Sequence, residues 1–283
     1  MDSKTIKTIL VTGSNKGIGF GIVEGLLAKR TNLRIILTSR NTENGHKSYK
    51  FLQEKYSPPQ DSFYYHQLDI TDLQSRTNLI SYLKTSFGGI DYLVNNAGIS
   101  IKGDAFNVDV YNETFKTNVY GTIEFTEQML KEKVINKSGK LVTVGGRYGF
   151  LSRLHSQILK DRFKKAISIE ELLTLGNEFK QSIIDNKVEE NGWCKNVYCV
   201  SKMIVNSYSK ILSYKKDIKD NDISVYACHP GWVRTDLGGP NGTLSIEEGA
   251  RMPIFLIDLP VGINEKYQGK FFLDFKVKSF EED

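Results

Sequence analysis

The chain has 283 residues, 40% hydrophobic and 25% charged, so it can bury a sizeable core and wholesale disorder is excluded. The net charge of +5 is modest and the basic residues are scattered among acidic ones, which excludes the concentrated basic patch of a nucleic-acid-binding protein. No apolar run reaches membrane-spanning length and residues 1–7 show no targeting pattern, so we expect no membrane partner and a cytoplasmic location.

Short apolar, β-branched runs alternate with longer helix-like stretches along the whole chain. We predict strands at residues 8–11, 33–38, 63–66, 90–94, 140–144, 223–228 and 269–273. This rhythm predicts an α/β fold of the Rossmann type: a doubly wound parallel sheet of about seven strands with helices on both faces. No linker divides the chain, so we expect a single domain over residues 1–283. Capping boxes at 71–74 and 168–171 predict two of the helix starts.

A glycine-rich segment directly follows the first predicted strand. Residues 12–19 read Thr-Gly-Ser-Asn-Lys-Gly-Ile-Gly and open a helical pattern. Glycines there let the backbone turn tightly against a pyrophosphate, and the following helix offers free N–H groups and the positive end of its dipole. The segment predicts a dinucleotide site, the alternative being an ordinary glycine-rich turn. No metal-ligand cluster accompanies it, so we expect no bound metal.

The end of the second predicted strand bears on which dinucleotide is bound. NAD-preferring proteins usually place an acidic residue there to hold the ribose 2′-hydroxyl. This chain reads Thr-Ser-Arg at residues 38–40, so the acid is missing and Arg40, with Lys16, offers charge to an extra 2′-phosphate. We therefore predict NADP(H) as the cofactor. The alternative is that both are solvated surface cations.

A tyrosine and a lysine stand four residues apart at Tyr198 and Lys202, and they share one face if the segment is helical. A carbonyl-reducing enzyme needs an acid that protonates the developing alkoxide. A nearby ammonium is expected to lower the pKa of a phenol towards working pH. In isolation the pair would more often be chance than a site.

The order of further motifs decides between those two interpretations. Four further motifs follow a predicted strand or lie in the expected order along the chain. They are Asp69-Ile70, Asn-Asn-Ala-Gly at 95–98, Asn118 and Pro-Gly-Trp-Val-Arg-Thr at 230–235. With the glycine-rich segment and the Tyr198–Lys202 pair, they resemble the short-chain dehydrogenase/reductase family. Glu-Glu-Asn-Gly-Trp at 189–193 and Glu-Glu-Gly-Ala at 247–250 make the chain most similar to its monomeric carbonyl reductases.

The resemblance implies reduction of a small-molecule carbonyl by a monomeric, NADP(H)-dependent enzyme. It implies Asn118, Tyr198 and Lys202 as catalytic residues, with Tyr198 as proton donor and Asn118 holding a water in a relay with Lys202. The cofactor contacts are expected to be Gly13, Asn15, Lys16, Gly17, Ile18, Gly19, Arg40, Asp69, Ile70, Asn96, Ala97, Gly98, Tyr198, Lys202, Pro230, Gly231, Val233 and Thr235. The alternatives are a satisfied helix-interior amide for Asn118 and a simple turn at Pro230-Gly231.

A segment at about 149–196 separates the fifth strand from the tyrosine and resembles an insertion that covers the oligomer-forming helices in the monomeric relatives. Its apolar residues Leu172, Leu173, Leu175 and Phe179 predict a helix that packs on the core, or else a lid over the substrate cleft. Trp232, together with this segment, is expected to form the substrate wall.

The pattern breaks at the end of the fifth strand, where relatives carry a serine that helps to hold the substrate carbonyl. Here Gly146 takes that position. Losing one donor aimed at a developing oxyanion typically costs about 10²–10³ in rate. Three hypotheses remain: Tyr148 or Ser152 supplies the missing hydroxyl, or the enzyme works slowly without it, or the chain is an inactive NADP(H)-binding regulatory or sensor protein.

Overall fold

A central sheet of eight strands organises the fold, in a computed structural model that describes residues 6–29, 32–103 and 105–281. The strands are β1 (Lys7–Val11), β2 (Leu33–Ser39), β3 (Phe63–Gln67), β4 (Ile90–Asn95), β5 (Ile135–Val144), β6 (Ser224–Cys228), β7 (Lys270–Leu273) and β8 (Lys276–Lys278). Their order in the sheet is β3-β2-β1-β4-β5-β6-β7-β8. The first seven pair in parallel, which confirms the predicted doubly wound sheet.

The eighth strand departs from the predicted count of about seven. β8 pairs antiparallel with β7 across a two-residue turn, Asp274-Phe275, in which both residues have positive φ. Left-handed residues at both turn positions match the twist of a tight hairpin. The strand itself reads Lys-Val-Lys at the sheet edge, so it carries no apolar run from which it could be predicted.

Ten α-helices in the described residues connect the strands and cover both faces of the sheet. They are α1 (Gly17–Lys29), α2 (Thr42–Tyr56), α3 (Leu73–Phe87), α4 (Val108–Phe115), α5 (Thr122–Lys131), α6 (Gln157–Lys165), α7 (Ile169–Ile184), α8 (Val197–Leu212), α9 (Lys216–Asp220) and α10 (Ile246–Asp258). One π-helical turn, Lys116–Gly121, joins α4 to α5. Within the described part of the chain, none of these helices has the length and apolarity to cross a membrane.

The helix starts follow capping chemistry, with one correction. The capping box predicted at 168–171 is present at the start of α7, where Ser168 and Glu171 bond each other's backbone N–H groups. The box predicted at 71–74 is wrong, because Asp72 rather than Thr71 caps α3. The Asp72 carboxylate accepts from the backbone N–H of Ser75 at 2.6 Å, while the Thr71 hydroxyl donates to Asp69.

The strand order places a crevice at one edge of the sheet. β1 pairs with β2 on one side and β4 on the other, so the connections that leave the carboxyl ends of these strands run in opposite directions. A doubly wound sheet binds its ligand in the crevice that opens at this switch point. The glycine-rich segment follows β1 there.

The segment at 149–196 contributes α6 and α7 to the hydrophobic core. Leu172, Leu175 and Phe179 of α7 are fully buried, and Leu173 packs on the same cluster half-buried. The apolar stripe of α7 is therefore used in core packing, the first of the two predicted roles.

Candidate active site

A cleft of about 750 Å³ lies at the switch point, outside the carboxyl ends of the strands. Most of the predicted cofactor contacts line it: Gly13, Asn15, Lys16, Gly17, Ile18, Arg40, Asp69, Ile70, Asn96, Ala97, Gly98, Tyr198, Lys202, Pro230 and Thr235. Gly19, Gly231 and Val233 do not line this cleft. The fold thus gathers residues from six separate stretches of the sequence into one site.

The glycine-rich loop is fixed by the residues that follow β4. The Thr12 hydroxyl accepts from the backbone N–H groups of Asn96 and Ala97, at 2.9 and 3.0 Å, while the Asn96 amide donates to the carbonyls of Thr12 and Gly13. Gly13 has φ +59°, and a Cβ there would lie 3.0 Å from the Cα of Ala97. A Cβ on Gly19 would lie 2.4 Å from the Asn96 amide nitrogen. Gly19 therefore does not line the cleft; it allows the loop to pack closely against Asn96.

Two cations stand where the sequence predicts a 2′-phosphate site. Arg40 lines the cleft with its side chain exposed. Lys16 forms an exposed ion pair with Asp236, 2.7 Å between Nζ and Oδ2, and this contact lowers the pKa of the Asp236 carboxyl. Sequence reasoning missed Asp236, which lies just beyond the Thr235 that it did identify. The cleft thus carries its own counter-ion for one of the two predicted phosphate-binding cations.

Tyr198 and Lys202 lie in the first turns of α8, which Asn196 caps by accepting from the backbone N–H of Cys199 at 2.9 Å. The Lys202 Nζ lies 5.7 Å from the centroid of the Tyr198 ring and donates to the backbone carbonyl of Val144 at 2.9 Å. The predicted pair is thus brought together at the cleft, anchored to the end of β5.

The expected lowering of the Tyr198 pKa is wrong. Burial, with smaller contributions from Cys199 and Tyr148, raises the pKa of the Tyr198 phenol well above its usual range instead of lowering it. Burial also lowers the pKa of Lys202 to about 8, opposed in part by Cys228. Desolvation penalises the charged forms of both groups and is the largest cause of both pKa shifts. The phenol is therefore protonated at neutral pH, and the amine is mostly cationic.

Asn118 lies buried in the π-helical turn, a distortion often found at functional sites. Its amide donates to the carbonyl of Ile99 at 2.9 Å and to the Ser201 hydroxyl at 3.1 Å, and its Oδ1 accepts from the Ile99 N–H at 2.8 Å. Both amide hydrogens are used, so only one lone pair on Oδ1 remains for a water. The predicted water relay with Lys202 stays a prediction.

A second cavity of about 670 Å³ adjoins the cleft. The residues that line both spaces are Ile18, Gly145, Tyr198, Pro230, Thr235 and Leu237. Tyr148 and Trp232, the predicted substrate residues, line the second cavity together with Gly231 and Val233. Ser152 lines neither space. The phenol of Tyr198 is thus the only titratable side chain shared by the two spaces among the described residues.

The two glycines at the end of β5 differ in the space around them. A Cβ on Gly145 would lie 2.0 Å from Oδ1 of Asn206, so a side chain there would displace the buried Asn206 amide from the carbonyls of Gly146 and Gly149. A Cβ on Gly146 would meet nothing closer than 4.0 Å, and the backbone at Gly146 is extended. The position where relatives are expected to carry a serine is therefore open.

His229 is a residue of the second cavity that sequence reasoning missed. Its Nδ1 accepts from the backbone N–H of Arg147 at 3.3 Å. Burial, reinforced by the charge of Arg147, lowers the pKa of His229 to about 4, so the ring is neutral at pH 7. The sequence signal was its place directly before Pro230.

Fold and site together define a doubly wound α/β protein with a dinucleotide-type cleft and a Tyr–Lys pair at its inner end. The model of the short chain dehydrogenase family matches residues 7–157. Carbonyl reductase (NADPH) 1 of Rattus norvegicus is 37% identical over 276 residues, which cover 95% of this chain and 96% of the rat protein. The human protein of the same name is 37% identical over 91% of this chain and 93% of its own.

Solved structures of reductases share this fold. Salutaridine reductase from Papaver somniferum superimposes with a TM-score of 0.82 at 26% identity, covering 95% of this chain and 99% of the plant chain. The chain belongs to the short-chain dehydrogenase family, as its motifs predicted.

Proposed function

We propose that this protein reduces the carbonyl group of a small molecule with NADPH as the reductant. The observation that carries the proposal is the position of Tyr198, which lines both the dinucleotide-type cleft and the adjoining cavity, with Lys202 beside it. Relatives that match almost the whole chain are NADPH carbonyl reductases by name. A carbonyl held in the second cavity would thus meet its proton donor at the border of the cofactor cleft.

The residues of the cleft fit an NADP-type dinucleotide. The positive φ of Gly13 and the close packing of Gly19 keep side chains away from the loop, which lets a pyrophosphate approach the backbone and the start of α1. Arg40 would hold the 2′-phosphate, and Lys16 would join it on leaving Asp236. When bound there, NADPH supplies the hydride.

Tyr198 donates the proton that the reaction needs, and Lys202 stabilises the charge that remains on Tyr198. The raised pKa keeps the Tyr198 phenol protonated at neutral pH, so it is a donor to the oxygen of a bound carbonyl. As the carbonyl is reduced, the phenol would transfer its proton to that oxygen, which leaves an alcohol and a Tyr198 phenolate. Lys202, mostly cationic below about pH 8, stabilises the phenolate from close range.

Tyr148 is our candidate for the hydroxyl that Gly146 does not provide. Its ring contacts that of Tyr198 edge to face, with centroids 6.1 Å apart, and lines the same cavity. Ser152, the other candidate, does not line the cavity. The absence of a side chain at Gly146 favours one second function, an NADP(H)-binding sensor without turnover.

A carbonyl panel separates these two functions. Purified protein is mixed with NADPH or NADH and a set of aldehydes, ketones and quinones, and oxidation of the nucleotide is followed by absorbance. A reductase oxidises NADPH with some members of the panel, and Tyr148→Phe lowers kcat by about tenfold or more because one oxyanion donor is lost. Binding of NADPH without oxidation by any member would instead establish the sensor.

We also propose that the protein acts as a monomer, as the similarity of residues 149–196 to the insertion of monomeric relatives implies. α7 buries its apolar stripe within the chain's own core, which supports this proposal. Light scattering coupled to gel filtration would give about 32.1 kDa for a monomer, and twice that mass would exclude it. The cytoplasmic location stays a prediction.

A further inference from the structure

We propose that the second cavity selects carbonyl compounds that carry a carboxylate some distance from the carbonyl group. The inference rests on the proposed reductase function and names its substrate class. Three cations line this cavity, Arg147, Arg153 and Lys195, and no Asp or Glu is found among its described lining residues. A cavity with one sign of charge concentrates ligands of the opposite sign.

The three cations have no acidic partner among the described residues. Other exposed cations of the chain do pair, such as Arg162 with Glu178. The three cavity cations form no ion pair within the described ranges. All three side chains are exposed, so they are available to a ligand entering from solvent. They come from the end of β5 and from both ends of the segment at 149–196.

The ring of Tyr148 lies between Arg153 and the proposed proton donor, Tyr198. Its guanidinium carbon lies 4.5 Å from the centroid of the Tyr148 ring, and Tyr148 in turn contacts Tyr198 edge to face. Stacking on an aromatic ring holds a guanidinium with its N–H fork free for bidentate pairing. The guanidinium is therefore held against the Tyr148 ring on the wall of the cavity while it remains exposed to a ligand.

Several apolar side chains that line the cavity are unusually exposed. Ile101, Tyr148, Trp232 and Leu237 are each 40% exposed or more. Such an apolar group, clustered in a cavity, indicates a ligand with an apolar body. The combination fits a molecule whose carbonyl reaches Tyr198, whose body lies against these side chains and whose carboxylate reaches the cations.

Cofactor binding does not account for the positive charge of the second cavity. The dinucleotide-type cleft has separate cations, Lys16 and Arg40, which do not line the second cavity. His229 adds no charge at neutral pH, because burial keeps its ring neutral. The spacing through Tyr148 also disfavours 2-oxo acids, in which the carboxylate adjoins the carbonyl.

A matched pair of substrates tests the inference. We would measure kcat/KM with NADPH for 4′-formylbiphenyl-4-carboxylate and for its primary amide, which is neutral and of nearly the same shape. The kcat/KM for the acid is expected to exceed that for the amide by about tenfold, the order expected for charge-assisted hydrogen bonds. This acid-to-amide ratio should shrink as salt is added, because salt screens the attraction between charges. Arg153→Gln should bring the ratio close to one. Lys165→Gln, which removes an exposed cation of α6 outside the cavity, should leave the ratio unchanged.

Each result decides the question. Equal kcat/KM for acid and amide in the unchanged protein would overturn the inference and leave the reductase proposal standing. A ratio that persists in Arg153→Gln, Arg147→Gln and Lys195→Gln would also overturn it. If neither compound is reduced, the carbonyl panel still decides the reductase proposal, and calorimetric titration of the NADPH-bound protein decides the inference: tighter binding of the acid supports it, and equal affinity overturns it.

Discussion

Gly146 faces the buried side chain of Lys202 with room for a side chain of its own, since a Cβ at residue 146 would lie 4.0 Å from the Cγ of Lys202 with nothing nearer. The backbone at this position is extended, so a serine would enter without strain. The packing around residue 146 therefore gives no reason for a glycine in place of the serine that the resemblance implies.

Restoring that hydroxyl is the first prediction. Gly146→Ser should fold normally and raise kcat/KM by about tenfold, because it adds a donor beside the substrate oxygen. Gly145→Ser is the matched control and should be destabilised, since its Cβ would lie 2.0 Å from Oδ1 of Asn206. Steady-state rates and thermal unfolding of the two variants check this. A folded Gly146→Ser variant with unchanged or lower kcat/KM would contradict it.

The pH dependence of reduction should follow Lys202. Burial lowers the pKa of its amine to about 8, so the charge is present below that pH and is lost above it. The Tyr198 phenol, whose pKa is raised, stays protonated throughout. We expect kcat/KM to be level near pH 7 and to fall about tenfold per pH unit above pH 8.

Lys202→Arg tests this assignment, because a guanidinium keeps its charge across the same range. Its activity, whatever the absolute value, should lose the fall at pH 8. A profile of the unchanged protein that stays flat to about pH 10 would show that the Lys202 charge does not matter.

Cofactor selectivity should depend on Arg40. Arg40→Ala should weaken NADPH binding by about tenfold or more and leave NADH binding nearly unchanged, because only NADPH carries the 2′-phosphate. Fluorescence titration gives both dissociation constants. An equal loss for the two nucleotides would place Arg40 elsewhere on the cofactor.

The Lys16–Asp236 pair predicts an effect in the opposite direction. Asp236→Asn removes the counter-ion of Lys16 and should tighten NADPH binding a few-fold, the modest gain expected for an exposed pair. Glu43→Gln, which removes the exposed partner of Lys47 on α2, serves as control. Weaker NADPH binding in Asp236→Asn would mean that Asp236 assists the cofactor instead.

The parallel sheet and the cleft were predictable because their signals are local. Apolar runs mark the seven parallel strands, and each motif after a strand falls at the same edge of the sheet. Asp72 shows the limit of such reasoning, since two adjacent polar residues could both cap α3 and only the folded chain selects one.

Features that depend on distant contacts could not be predicted. The raised pKa of Tyr198 follows from its burial, which its i+4 spacing to Lys202 does not encode. The approach of Asp236 to Lys16 likewise arises only when two distant loops meet.

The most direct test of the account is Tyr198→Phe, assayed for both NADPH affinity and NADPH oxidation with the best carbonyl of the panel. We expect an NADPH dissociation constant within a few-fold of that of the unchanged protein and a loss of NADPH oxidation of about 10²–10⁴, the range typical of a general acid. Oxidation that continues at a similar rate in this variant, or an unchanged protein that binds no NADPH, would contradict it.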